Sequence, residues 1–218
     1  MPAARKVDKL LNQEELITSA YHEAGHAVIA WYYGRRILGV FISRDKNKNS
    51  NCEIIRLFGK ISDIEIHELE REMDISMAGI VATERLAGKK VAGMEWLGTD
   101  YPDAVNIAKD WALKTGKALN NECLIDHSID VDGIKGCIFS GAFLDDFGGN
   151  VRNLMSRPRI WRCVKAVAYA LPKNNELGGD EVSSIISKAW EDVGYGRQEE
   201  LVETQSSDNE IRLWGEWR

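Results

Sequence analysis

A short segment near the N-terminus, His22-Glu23-Ala24-Gly25-His26, carries three side chains that can do chemistry together. It lies in a run of residues that we predict to be helical, where positions i and i+4 share one face, a turn apart. His22 and His26 can therefore hold one metal ion between them, and imidazole is a common zinc ligand. Zinc lowers the pKa of a bound water from about 16 to about 7, and Glu23 can take the proton of that water as it attacks a carbonyl.

The same short pattern also occurs in helices that bind no metal, so its surroundings matter. The chain has only four histidines, and two of them fall at this spacing. Gly25 costs a helix about 1 kcal/mol relative to alanine, and its place inside the pattern indicates close approach of another segment. The helix also has a separate apolar stripe, formed by Ala20, Ala24, Ala27, Val28 and Trp31. This stripe is expected to be buried, so the histidines lie beside the buried face.

The elements around this segment are predicted to be mainly helical. Asn12 and Glu15 form a capping box for a helix that runs to about Tyr33. Ser62 and Glu65 form a second capping box, for a helix that ends near Gly88. Further helices are predicted from 102 to about 117, from 150 to 156, from 158 to 171 and from 180 to 193, and residues 120–148 are predicted to be the least regular part.

Two runs of β-forming residues, 37–43 and 51–58, flank a polar stretch and predict a hairpin. The hairpin either presents an edge strand to an extended peptide or only covers the core. The predicted fold class is therefore mainly α with a small β-hairpin. Residues 1–11 are expected to be a lead-in, residues 12–195 one domain, and residues 196–218, which lose periodicity, a tail.

Composition excludes several classes of protein. A hydrophobic content of 44% in 218 residues suits one globular domain, and a net charge of -6 argues against a nucleic-acid binder. No apolar run reaches the roughly 18 residues of a membrane span, and the N-terminus has no signal-peptide core. Four scattered cysteines without a C-x-x-C pair suggest reduced thiols and a cytoplasmic protein.

A catalytic zinc site needs a third protein ligand. The pattern H-E-x-x-H-x-x-G-x-x-H is excluded, because Ile29 and Tyr32 occupy its glycine and third-histidine positions. The third ligand must come from further along the chain. Spacing alone does not decide among the candidates, which include Glu53, His67, Glu84 and Asp100.

Four blocks of sequence resemble the protease domain of the FtsH family of zinc metalloproteases. The block HEAGHA at 22–27, followed by VIAW, is the most specific of them. AGIVATERLAG at 78–88 is similar to the family's helix of the form GGRAAEELIFG, and GTDYPDAVNIAK at 98–109 is similar to its segment ASNDIERATEIAR. VKAVAYALPKNNELGGDEV at 164–182 resembles a stretch near the end of that domain, so the resemblance covers residues 15–190.

The resemblance implies a mainly helical, zincin-type peptidase. It places the zinc ligands at His22, His26 and Asp100 and the general base at Glu23. Glu84 matches an acidic family position close to the site, where it would orient a ligand histidine by a hydrogen bond. An ion pair between Glu84 and an arginine is the structural alternative.

The sequence also departs from the family. It contains no membrane span and no phosphate-binding loop of an ATPase, and the loop AGMEWLGTD at 92–100 differs from the family's small, polar one. We therefore expect an ATP-independent zinc endopeptidase acting on unfolded proteins or peptides, with a separate ATPase partner and a homo-oligomer both left open. The alternative is a catalytically silent interaction protein in which zinc only staples helices, and a helical domain without metal is a third possibility.

Overall fold

The computed structural model describes residues 11–46, 48–55, 64–89, 129–131, 134–136 and 141–192, together with Ala104, Ile107, Asp110, Trp111, Lys114 and Thr115. Residues 1–10 of the predicted lead-in, the whole predicted tail and Asp100 lie outside these residues. Within them the fold is mainly helical with a small antiparallel sheet, as the sequence predicts. None of the described helices is both long and apolar enough to cross a membrane.

The elements follow one another in a fixed order along the chain. They are α1 (Gln13–Tyr32), β1 (Ile37–Phe41), β2 (Asn51–Ile54), α2 (Ile66–Ala87), β3 (Ile129–Val131), β4 (Ile134–Gly136), α3 (Gly141–Ser156), α4 (Pro158–Asn174), β5 (Glu176–Gly178) and α5 (Gly179–Glu191). The six described residues between 104 and 115 are also helical, at spacings typical of one helix face.

Helix α1 runs through the centre of the fold. Its predicted capping box is confirmed, since the Glu15 amide donates to Asn12 Oδ1 at 2.9 Å and the Asn12 amide donates to Glu15 Oε2 at 2.8 Å. It ends at Tyr32, and Gly34 follows with φ 74°. Twelve of its 20 residues are buried, because α2, α4 and the sheet pack around it. A helix enclosed in this way needs apolar residues on most of its circumference.

The predicted start of α2 is wrong, and its predicted end is confirmed. The helix begins at Ile66 with Glu65 as its N-cap, which makes no side-chain capping bond. Burial along α2 starts at Leu69, and packing of the buried face stabilises a helix more than a single cap does. At the other end Gly88 adopts the left-handed conformation, with φ 64°, and closes the helix.

The predicted hairpin is present and gains a third strand. β1 and β2 pair antiparallel, and β5 pairs with the other edge of β1, giving the order β2-β1-β5. Leu177 of β5 lies opposite Val40 of β1, and both are buried against the helices. Three residues are too few to show a strand period in the sequence, so β5 was not predicted.

The remaining helices cover α1 and α2. α4 packs against α1, where the rings of Tyr21 and Trp161 lie 5.5 Å apart, while α3 packs against α2 and α5 against α4. Residues 120–148, predicted to be the least regular part, contain the short strands β3 and β4 and the first half of α3, none of which was predicted. Gly148 and Gly149 lie within α3. Because glycine is a poor helix former, helix propensity does not predict this part of α3.

Candidate metal site

The two histidines of α1 converge on one point. Their Nε2 atoms are 3.2 Å apart, and their ring planes meet at 73°. A tetrahedral zinc ion at about 2.0–2.1 Å from each nitrogen would hold two such atoms about 3.3 Å apart. The observed separation therefore suits two ligands of one metal ion, as well as a hydrogen bond between the two rings.

A backbone carbonyl fixes which nitrogen of His26 is free to bind a metal. His26 Nδ1 lies 2.7 Å from the carbonyl oxygen of Ile75 in α2. Since a carbonyl can only accept, Nδ1 must carry the hydrogen, and the lone pair of the neutral ring is then on Nε2. Metal-binding histidines commonly donate their other ring nitrogen in this way. This role of Ile75 could not be predicted from the sequence, because the backbone carbonyl of a distant residue leaves no signal in a sequence pattern.

Gly79 of α2 lets both imidazoles pack against the backbone of that helix. A Cβ atom at this position would lie 2.4 Å from His26 Nε2 and 2.6 Å from His22 Nε2, closer than real Cβ contacts come. Any other residue type here would therefore push the two rings away from α2. The donor set, two Nε2 atoms at the separation expected for ligands of one ion, fits zinc.

The contact between α1 and α2 depends on small residues. A Cβ atom on Gly25 would lie 2.5 Å from the carbonyl oxygen of Ala78 and 2.8 Å from Cβ of Ala82. The close approach predicted from Gly25 is therefore confirmed. This contact holds Ile75 and Gly79 against the histidines, so the geometry of the site follows from the packing of the two helices.

Glu23, the predicted general base, lies inside the protein next to the first histidine. Its exposed fraction is 6% and that of His26 is 5%, whereas His22 is partly exposed. A buried carboxylate is stable only with polar partners, and it acts more strongly on nearby charge than an exposed one. The burial of Glu23 suits a group that handles protons away from bulk water.

Glu84 makes the ion pair that the sequence left open as an alternative. Its Oε2 accepts a hydrogen bond from Arg152 Nε at 3.1 Å, which ties α2 to α3. At 100° per residue, Glu84 lies about 140° around the α2 axis from Gly79. His26 donates its own orienting hydrogen bond to the carbonyl oxygen of Ile75.

Two other candidates for the third ligand lie away from the histidine pair. His67 precedes Gly79 by twelve residues, which is about 18 Å along α2, and its ring nitrogens contact Glu65 and Glu68 at 3.0 and 3.1 Å. Glu53 is exposed on the strand β2, at the edge of the described sheet.

Asp100 itself lies outside the described residues. Among the residues that are described, no cluster of three or more His, Cys, Asp or Glu side chains suits a metal ion. Four residues after Asp100, however, Ala104 is buried in the same core as α1 and α2. Trp111, on the same helix face, donates a hydrogen bond from Nε1 to Glu70 of α2 at 3.0 Å. The segment that follows Asp100 therefore packs beside the helix that carries Gly79.

No family model matches this sequence, and no curated protein matches it either.

Proposed function

We propose that this chain is a zinc-dependent peptidase that hydrolyses peptide bonds in unfolded proteins or peptides. One observation carries the proposal: the Nε2 atoms of His22 and His26 are 3.2 Å apart, close to the separation expected of two ligands of one zinc ion. Glu23 follows the first histidine, as a general base must in this motif. The sequence resemblance to FtsH protease domains supports a peptide as the substrate and a zincin-type helical fold.

Each residue has a distinct role in this proposal. His22, His26 and Asp100 would hold the metal, and Ile75 keeps His26 in the tautomer whose Nε2 can bind it. A zinc ion held there supplies Lewis-acid chemistry, activating a water and polarising the peptide carbonyl. Glu23 takes a proton from the attacking water and passes it to the leaving amine.

The substrate and the cellular context belong to the same proposal. We propose cleavage of chains that are already unfolded, either alone or with substrate delivered by a separate ATPase partner. Cys52 and Cys163 form no disulfide among the described residues, which suits the proposed cytoplasmic location. A homo-oligomer would be compatible with this function but is not required by it.

The direct test compares the wild-type chain with Glu23→Gln. Zinc per chain is measured for both, together with the rate of cleavage of casein, an unfolded protein that needs no unfoldase. We expect about one zinc per chain in both proteins and cleavage by the wild type alone. Zinc-loaded wild type that leaves casein and unfolded peptides intact would overturn the peptidase proposal.

A second function, a structural zinc in an interaction protein, is favoured by one observation. Both imidazoles pack against the α2 backbone at Gly79, and His26 donates to the Ile75 carbonyl, so an ion held by the two rings would stabilise the contact between α1 and α2. On this account zinc raises the melting temperature of the chain, while wild type and Glu23→Gln behave alike in every cleavage assay.

A further inference from the structure

Three aromatic rings meet where the C-terminal end of α1 contacts the end of α5. The ring centroid of Trp190 lies 5.6 Å from that of Trp31 and 6.3 Å from that of Tyr32. All three side chains are partly exposed. Trp31 and Tyr32 lie more than one turn beyond His26 along α1, so the three rings form a feature distinct from the candidate metal site.

Two arginines from the start of α4 border these rings. Arg159 stacks with its guanidinium carbon 4.9 Å from the Trp190 ring centroid, and Arg157 Nη1 donates to the Tyr32 hydroxyl at 3.3 Å. Both side chains are exposed, and neither forms an ion pair with an acidic residue among those described. A guanidinium stacked by its face keeps its in-plane N–H donors directed outwards.

The charge of α4 is unusual for this chain. The helix contains four basic residues and no acidic one, although the whole chain has a net charge of -6. Its N-cap is Arg157, and its first turn contains Arg159 but no acidic residue. Positive charge at a helix N-terminus opposes the helix dipole, so these arginines do not help the helix to form. One turn further, Arg162 has a buried Nη1 that makes no hydrogen bond to any described residue.

We propose that these five residues, Trp31, Tyr32, Arg157, Arg159 and Trp190, form a docking surface for an acidic peptide segment that also carries apolar side chains. Carboxylates pair with the outward N–H donors of the arginines in bidentate geometry. Apolar side chains of the segment pack on the exposed ring faces, and tryptophan, tyrosine and arginine are the residue types that dominate binding at protein interfaces. We call these residues the arginine–aromatic surface.

Charge favours a peptide over a nucleic acid as the occupant. A nucleic acid requires a longer row of cations and is repelled by the acidic remainder of the chain. A peptide with a few carboxylates matches a surface with two exposed arginines that form no ion pair with a described acidic residue. Docking at this surface requires neither zinc nor Glu23, so its failure and the failure of the peptidase proposal are distinguishable.

The test uses the full chain and a fluorescein-labelled peptide of Glu and Phe residues, with binding followed by fluorescence anisotropy. The same peptide with Lys in place of Glu and a labelled single-stranded oligonucleotide are titrated in parallel. We expect the Glu-Phe peptide to bind, with an affinity that falls as salt is added, and the Lys-Phe peptide not to bind. Absence of Glu-Phe binding, or tighter binding of the oligonucleotide, would overturn the proposal.

A pair of charge variants locates the binding. Arg157→Gln with Arg159→Gln removes two charges from the arginine–aromatic surface, and Lys46→Gln with Lys48→Gln removes two from the loop between β1 and β2. The first pair is expected to weaken Glu-Phe binding at least about tenfold, and the second to leave it within about twofold. Circular dichroism checks that both variants fold. Equal weakening by both pairs would show a general charge effect and overturn the assignment to this surface.

Discussion

Replacing Gly79 with alanine is expected to remove zinc binding while leaving the chain folded. The new methyl carbon would lie 2.4 Å from His26 Nε2 and 2.6 Å from His22 Nε2. Atoms that are not bonded cannot come so close, so the imidazoles must rotate away from α2. The two Nε2 atoms then no longer face one ion.

The magnitudes separate the effect on zinc from the effect on folding. Loss of a supporting contact around a metal typically costs 10- to 100-fold in affinity. Because the alanine displaces both ligand rings at once, we expect a loss of at least about 100-fold, or about 2.7 kcal/mol. Extra packing in a core costs about 1–3 kcal/mol, and replacing glycine by alanine in a helix returns about 1 kcal/mol. The metal-free variant should therefore lose about 0–2 kcal/mol of stability.

Two matched glycines serve as controls. Alanine at Gly25 would contact the Ala78 carbonyl oxygen at 2.5 Å, so it should destabilise the helix pair without displacing the histidine rings. Alanine at Gly149 would meet no atom within 4 Å and should be neutral or stabilising. Zinc affinity is measured by competition with a chelating dye, and metal-free stability by thermal denaturation. Wild-type zinc affinity in Gly79→Ala would refute the placement of the metal beside Gly79.

Three further predictions concern other residues. Asp100→Ala should weaken zinc binding without changing the metal-free melting temperature, and unchanged affinity would remove Asp100 from the ligand set. Burial raises the pKa of Cys163 to about 11. At pH 8 about 0.1% of this thiol is ionised, compared with about a quarter of an ordinary thiol. Iodoacetamide should therefore label Cys163 at least about 100-fold more slowly than the half-buried Cys52, as measured by mass spectrometry. The hydrogen bond from Arg35 holds the pKa of Glu68 below its usual value. The ionised Glu68 carboxylate therefore stabilises the fold above about pH 4.3, and this stabilisation is lost as the pH falls through the lowered pKa. Urea denaturation should thus show that Glu68→Gln lowers the free energy of unfolding by about 1 kcal/mol at pH 7 and has no effect in acid. A difference from wild type that does not change with pH would contradict this.

The sequence predicts those parts of the fold that depend on local chemistry. Asn12 and Gly34 mark the ends of α1, and helix periodicity alone brings His22 and His26 to one face. A glycine inside the motif was enough to predict a close helix contact, and the structure confirms it at Gly25.

The parts that the sequence does not predict depend on contacts between distant residues. The carbonyl of Ile75 orients His26 through a hydrogen bond that spans 49 positions, and any residue type could supply it. The role of Gly79 becomes visible only when α2 lies against α1. The early start predicted for α2 was wrong because Ser62 and Glu65 fit a capping pattern locally, whereas packing places the first helical residue at Ile66.

The most direct test of this account is a crystal structure of the full chain grown with zinc, with anomalous diffraction collected at the zinc edge. The account predicts one strong peak at about 2.0–2.1 Å from Nε2 of both His22 and His26, beside Gly79, with an oxygen of Asp100 as the third protein ligand. A peak bound elsewhere, or none with zinc in excess, would contradict the claim that these histidines form a metal site.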